Sequence, residues 1–426
     1  MVQLELAEQQ FLSWKGVPFE KKQQLCLNLA QILRENKIEY AKIITKEVRK
    51  PISQAIAEVE KCAFLADYYA QIENVLQPKD IESDFGISRT YNEPMGVILG
   101  IMPWNFPFWQ VIRFAVPTIL AGNTVLFKHA AICQQSAAVL EEAFLKSQFP
   151  KGVFTHIEAD YNQIEKLLAH PQVKAVSLTG SEKAGSIVAQ LAGKNIKKSL
   201  LELGGNDAFI VLADADLPQA AQIGAYSRLQ NCGQTCIAAK RFIVHELVKD
   251  EFIALFVDEF SKYYPANPFD DDTILSGMAR KDLADELQEQ YHTAIKHGAS
   301  IIKPLERISE TEFAPGILLT TETNPILNQE VFGPLAFVIV ADNDAHALQI
   351  ANNTEFGLGN AVWTNNREKA MFFAQHLQSG TVAINSMTKS DPRLPFGGIK
   401  KSGYGTELSV EAFKEFTFVK TIVGNI

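Results

Sequence analysis

Apolar residues between positions 3 and about 75 recur at the three- and four-residue steps of a helix face, as in Leu25, Leu29, Ile32 and Leu33, then Val59, Cys62, Ala63 and Ala66. Pro51 marks a break between two of these helices. From Gly96 the texture changes. Short apolar runs, GVILGIMP, NTVLFK, GVFTHI, VKAVSLTG, KKSLLELGG and AFIVLAD, alternate with helical patterns, and a second set follows residue 240: RFIVHE, ASIIKP, PGILLT, LAFVIVAD, NAVWTN and GTVAINS. Strands that alternate with helices imply parallel sheets covered by helices on both faces. Two successive α/β units are the simplest arrangement, with a boundary near residue 205 and no internal repeat or low-complexity tract.

Composition narrows the classes of function. At 426 residues with 47% hydrophobic content, the chain exceeds one ordinary core. A formal charge of -9 gives no basic footprint for nucleic acid or an anionic membrane, so small neutral or anionic metabolites are the expected partners. The opening MVQLELAEQQ lacks a signal-peptide pattern, and no segment offers about 18 uninterrupted apolar residues, so a cytoplasmic location is expected. Five cysteines are too few, and odd in number, for a disulfide framework. Two of them, Cys232 and Cys236, stand four apart in QNCGQTCIAAKR. The spacing lacks the paired C-x2-C ligands of a zinc site, and no metal is expected. Buried thiols, or one nucleophile with a neighbour, remain.

Three further segments invite a chemical reading, each beside an ordinary one. In VKAVSLTGSEKAG, a strand ends at Gly180, Ser181 can cap the next helix, and Gly185 lies in its first turns where a bulky side chain could obstruct a close approach. Such a helix start can hold a phosphate, although capped helices follow strands in every α/β protein. In MPWNFPFWQVIR, Pro107 suits a first helical position, and Asn105 is either a turn residue or an amide aimed into a pocket. In LELGGND, Glu202 is either an ordinary strand-end carboxylate or a buried general base.

Taken together, PWNFP, LTGSEKAG, LELGG, GQTC, EVFGP and PFGGIKKSGYG, in this order over nearly the whole chain, resemble the aldehyde dehydrogenase superfamily. Within it, GVILGIMPWNFPFWQVIRFAVPTILAGNTVLFKHA, QTCIAAKRFIV and KSDPRLPFGGIKKSGYG look most like the short bacterial succinate-semialdehyde dehydrogenases. The resemblance implies a Rossmann-like cofactor-binding domain over 1–76 and 94–204, a second α/β catalytic domain over 205–395, and a small β oligomerisation element with the C-terminal tail over 77–93 and 396–426. It implies that Cys236 is the nucleophile that forms a thiohemiacetal and then, after hydride loss to a nicotinamide, a thioester. Asn105, with the backbone N–H of Cys236, would hold the oxyanion, and Glu202 would activate the hydrolytic water. Lys128 and Glu330 would bind the two riboses, with Gly180, Ser181 and Gly185 beside the pyrophosphate and Trp104 near the cofactor. Cys232 then reads as a buried hydrophobe. Ala238 stands where some relatives carry a second cysteine able to close a regulatory disulfide.

Substrate and cofactor preferences follow from single positions. Trp109 and Arg113 share a helix face. Where many relatives place an aromatic residue lining an apolar tunnel, a guanidinium at 113 would grip an aldehyde bearing a remote carboxylate; the ordinary alternative is a surface arginine in an interhelical salt bridge. Ser390 is a second donor candidate, and Arg393 a structural neighbour. After Lys128 the chain reads KHAA, so Ala131 replaces both the acid that excludes a 2′-phosphate and the serine that contacts it in similar enzymes. NADP is the leaning, with NAD allowed. Competing functions are a broader aldehyde dehydrogenase acting on glutarate semialdehyde or aliphatic aldehydes, a CoA-acylating enzyme, which Glu202 speaks against, a cysteine hydrolase, whose local signature is missing, and a non-catalytic protein of the same fold. A homodimer or homotetramer is expected through GISRTYNEP and the edge strand EFTFVKTIV. Against full-length relatives, a leading segment of about two dozen residues is expected to be missing, and ANPFDDDTILSGMAR departs from a more regular loop.

Overall fold

The computed structural model describes residues 2–425. Four helices lead the chain: α1 (Val2–Trp14), α2 (Phe19–Glu35), α3 (Lys37–Val48) and α4 (Ile52–Gln71). Their periodic residues face inward, since Leu29, Leu33, Val59, Cys62 and Ala63 are all buried. Pro18 and Pro51 stand just before α2 and α4, where a missing backbone N–H costs little.

The first sheet has six strands in the order Gly403–Tyr404, Lys198–Glu202, Val173–Thr179, Val97–Ile101, Thr124–Lys128 and Phe154–His156. All neighbours are parallel except Gly403–Tyr404, which runs antiparallel to Lys198–Glu202. Val97–Ile101 lies inside the sheet. The chain moves outward from it through Thr124–Lys128 to Phe154–His156, then crosses back to add Val173–Thr179 on the other side. At that reversal the connections leave in opposite directions and open a crevice beyond the carboxyl ends of the two strands, the place where open α/β sheets bind ligands.

A second sheet of seven strands runs Ser300–Lys303, Gly316–Thr320, Leu335–Ala341, Arg241–His245, Ala208–Val211, Gly359–Trp363 and Thr381–Ile384. It is parallel apart from its Ser300–Lys303 edge. Its central strands are buried along their whole length, as expected of strands covered on both faces. A separate three-stranded ribbon pairs Lys79–Asp80 with Ile87–Pro94, and Ile87–Pro94 with Thr417–Gly424.

Before the chain joins the ribbon, Gly403 and Tyr404 pair with Glu202 and Leu201 at the edge of the first sheet. One detail differs from the sequence reading. The helix expected to start at Pro107 starts two residues later, as α5 (Trp109–Leu120). The reason is a cap from another element. One carboxylate oxygen of Glu58, on α4, accepts from the backbone N–H groups of both Phe108 and Trp109, at 2.9 and 3.0 Å, and a negative charge is favoured at a helix N-terminus. Among the described residues, no helix is long and apolar enough to cross a membrane.

Candidate active site

The loop carrying the two close cysteines is built under strain. Asn231, Cys232 and Gly233 all have positive φ, at 51°, 56° and 72°, and a non-glycine residue in this region persists only where its surroundings over-determine it. Those surroundings are present. The buried Arg228 guanidinium donates to the carbonyl oxygen of Val331 at 2.9 Å and also reaches those of Gly233 and Gly333. Asn231 Nδ2 donates to the Asn105 carbonyl at 2.8 Å, while the Asn231 N–H donates to Gln54 Oε1 at 2.8 Å. Lys240 Nζ donates to the carbonyls of Thr235, at 3.0 Å, and Cys236. The loop is thereby fixed from four directions, and of the five free cysteines only Cys236 is not fully buried. Cys232 is wholly buried, and burial pushes its thiol up to about 12.

Cys236 forms part of the wall between two cavities of about 410 and 430 Å³; together with Gln110 it lines both. The first cavity brings together Trp109, Arg113 and Ser390, as the sequence predicts, and adds Lys61 and Phe396. The second collects Trp104, Asn105, Lys128, Gly180, Ser181 and Glu330 at the switch point of the first sheet. Gly185 is absent from that lining. It packs against Leu203, and a Cβ there would stand 2.6 Å from a methyl carbon of that residue. The glycine lets the helix Glu182–Lys194 lie close on the sheet, so that its N-terminus reaches the crevice.

Asn105 is held with one donor to spare. Its Oδ1 accepts from Gln110 Nε2 at 2.9 Å and its Nδ2 donates to the Gln234 carbonyl at 2.9 Å. An amide nitrogen has two hydrogens, so a second N–H is left on a side chain that shares the cavity with Cys236.

Glu202 sits deeper. It ends the strand Lys198–Glu202 and is about 1% exposed, and its Oε1 has no hydrogen-bond partner among the described residues. Arg113 Nη2 lies 3.9 Å from its other oxygen, and Arg113 Nε forms an ion pair with the equally buried Glu407. Burial raises the Glu202 carboxyl well above the usual carboxylate range; Arg113 opposes the rise and Glu407 adds to it. Burial likewise pushes the Cys236 thiol up to about 12, against the pull of Arg113 and Lys240 toward the thiolate. Arg113 is thus neither a surface residue nor a free guanidinium: it is 3% exposed, lines the first cavity and is already partnered.

The second cavity suits an elongated ligand with phosphates. Ser181 Oγ caps its helix by accepting from the Ala184 N–H at 3.3 Å, and the first N–H groups of the helix face the crevice without intrahelical partners. Lys128, partly buried, lines it. So does Glu330, which accepts from the Gly205 N–H at 2.8 Å and lies 3.6 Å from Lys240 Nζ, while Trp104 and Phe332 meet edge to face at 6.4 Å. Ala131 is exposed in the turn after Lys128.

Residues 3–422 match the model of the aldehyde dehydrogenase family. The chain belongs to that family. It is 41% identical over 423 residues to a probable succinate-semialdehyde dehydrogenase [NADP(+)] of Synechocystis sp., covering 98% of this chain and 93% of the relative. It is 38% identical over 425 residues to the succinate semialdehyde dehydrogenase [NAD(P)+] Sad of Escherichia coli, covering 98% and 92%. The crystal structure of succinic semialdehyde dehydrogenase from Streptococcus pyogenes in complex with NADP+ superposes with a TM-score of 0.96 at 37% identity, covering 100% of this chain and 94% of that one.

Other residues of this aldehyde dehydrogenase, not singled out from the sequence, stand at the two cavities or support their walls. Gln110 orients Asn105, Lys240 ties the Cys236 carbonyl near Glu330, and Glu407 holds Arg113. Arg280 and Phe332 line the second cavity, Arg280 at the end of the unusual loop ANPFDDDTILSGMAR and 5.9 Å from the Trp104 ring. Lys61 was also missed; the one sequence signal for it is that Glu58 and Lys61 fall among the apolar positions of α4. Arg393 is largely exposed and pairs with Asp391 at 2.6 Å.

Proposed function

We propose that this aldehyde dehydrogenase oxidises succinate semialdehyde to succinate, with NADP as the favoured coenzyme and NAD allowed. The observation that carries the reading is the position of Cys236: one accessible thiol shared by a cavity lined with cations and a cavity built at a helix N-terminus. The names of the relatives agree with both the substrate and the coenzyme. Ala131 supports the coenzyme choice in one direction, because it places no carboxylate where a 2′-phosphate would be repelled.

In this reading Cys236 loses its proton and adds to the aldehyde carbonyl carbon, forming a thiohemiacetal, and Lys240 and Arg113 stabilise the thiolate. The oxyanion accepts from the spare Asn105 N–H and from the backbone N–H of Cys236. Lys128, Gly180, Ser181, Trp104 and Glu330 hold the coenzyme, which when bound supplies the hydride acceptor. Glu202 takes a proton from the water that hydrolyses the resulting thioester on Cys236, releasing the acid and restoring the thiol. Trp109 flanks the substrate, and Arg113 and Ser390 donate to its remote carboxylate. The protein acts in the cytoplasm as a homodimer or homotetramer assembled through the three-stranded ribbon, whose Phe418, Val419, Ile422 and Val423 are exposed.

The test is nicotinamide reduction by purified protein with succinate semialdehyde or butyraldehyde, each with NADP and with NAD. Strong preference for the carboxylated aldehyde is the expected result. Equal rates with both aldehydes would leave only the general aldehyde dehydrogenase activity.

A further inference from the structure

Four cations line the cavity in which the proposed substrate's carboxylate would lie: Lys50, Lys61, Arg113 and the exposed Lys389. Two are answered by buried acids. Lys50 forms an ion pair with Glu58 and rests 3.6 Å from the Phe106 ring centre, and Arg113 is paired with Glu407. Lys61 differs. Its Nζ donates to Ser390 Oγ at 2.7 Å and sits 4.1 Å from the Trp109 ring centre, and among the described residues no carboxylate lies within ion-pair distance of it. The acids that act on it are engaged elsewhere, Glu58 with Lys50 and Asp391 with Arg393. With Lys50 and Arg113 paired to Glu58 and Glu407, the cations of the cavity that lack an acid partner among the described residues are Lys61, partly buried beside Ser390 and Trp109, and Lys389, exposed to solvent.

The geometry points to Lys61 as the residue that selects an aldehyde bearing a carboxylate: its ammonium pairs with that carboxylate while Ser390, accepting from Lys61, turns its own hydroxyl hydrogen toward the same group. The ammonium is positioned for this from two sides, by the hydroxyl and by the face of the indole ring. Arg113, fixed by Glu407 and beside Glu202, contributes directed hydrogen bonds but little net charge. The inference rests on the succinate semialdehyde reading. It also gives that reading a pH signature. Burial and the nearby Arg113 lower the Lys61 ammonium to about 8, with Glu58, Cys62 and Asp391 opposing. The charge is present below that value and is lost as pH rises through it.

The experiment measures kcat/KM for succinate semialdehyde and for butyraldehyde, with saturating NADP, in the wild type, Lys61→Met, Lys61→Gln and Lys61→Arg. The ratio of the two values cancels ionisations that both substrates share. Loss of a charge-assisted contact predicts a fall in the ratio of about tenfold to a hundredfold in the Met and Gln variants, mainly through KM, with recovery of much of it in Lys61→Arg. In the wild type the ratio should fall as pH passes about 8, and in Lys61→Met it should be flat. A ratio unchanged in Lys61→Met and Lys61→Gln, or equal losses on both aldehydes in both variants, overturns the role of Lys61 while leaving the substrate reading standing. A wild type that shows no preference overturns both.

Discussion

The two cavities that share Cys236 are made from different materials. The coenzyme-side cavity is organised by backbone features, strand ends and a helix N-terminus with two glycines, arranged by the reversal of strand order in one sheet, and side chains such as Trp104, Arg280 and Phe332 close around them. The substrate-side cavity is built from long side chains that arrive from separate places, Lys61 on α4, Arg113 on α5 and Ser390 from the far end of the chain; buried acids pair with Arg113 and with the neighbouring Lys50, but not with Lys61. A site made from backbone tolerates many side chains but few changes of shape. A site made from paired charges tolerates shape changes better than the removal of one partner, which strands the other in a medium of low polarity.

The wall between them gives the largest expected effect. Cys236→Ala should lower turnover by at least about a thousandfold, as removal of a covalent nucleophile does, while NADP still binds, measured by fluorescence titration. If NADP binding is lost along with turnover, the two cavities do not divide the labour as described.

Next in size is Glu202→Gln, with an expected loss of about a hundredfold or more in the steady rate, the usual contribution of a general base. The sign of the pH effect follows from burial. Because burial holds the Glu202 carboxyl protonated well above the normal carboxylate range, the fraction able to act as a base grows with pH. Stopped-flow traces should therefore show a steady rate that rises from neutral toward alkaline pH in the wild type, and in Glu202→Gln a burst of reduced coenzyme followed by a slow, pH-flat phase. A wild-type steady rate that falls over that range would remove Glu202 from the hydrolytic step.

On the backbone-built side, Gly185→Val should clash with Leu203 and destabilise the protein by about 1–3 kcal/mol, the typical cost of overpacking. Urea midpoints read the loss, and Leu203→Ala in the same chain should recover part of it. Recovery would show that this glycine serves packing; a full loss of NADP affinity with no change in midpoint would return it to the ligand.

The difference between the cavities also explains what could be read in the sequence. Glycines, a capping serine and a strand read as ending at Gly180 leave local marks, because each solves a problem within a few residues of itself, but such marks are common to α/β proteins and only the family resemblance tied them to a cofactor. Cys236, Asn105 and Glu202 were readable only as an ordered set, since any one of them alone is ordinary. The pairing of Arg113 with Glu407 was not readable, for the partners are far apart in sequence and nothing local requires either. The alternating apolar residues of EFTFVKTIV mark the last strand, whereas Gly403–Tyr404 is too short a strand to show a period. The start of α5 was misplaced at Pro107 for a similar reason: its cap is Glu58, supplied by another helix.

The smallest effect tests how far the coenzyme side depends on backbone alone. Ser181 Oγ caps the helix whose N-terminus faces the crevice. Ser181→Ala removes the cap and should cost about 1 kcal/mol of stability, whereas Ser181→Gly should cost only a few tenths. If the phosphates are held by N–H groups and the helix dipole, KM for NADP in Ser181→Gly should stay within about twofold of the wild type, since the dipole and the N–H groups survive the change. If the hydroxyl itself is a ligand, Gly and Ala should weaken NADP equally despite their different stabilities. That divergence between affinity and stability separates a cap that shapes the site from a side chain that belongs to it.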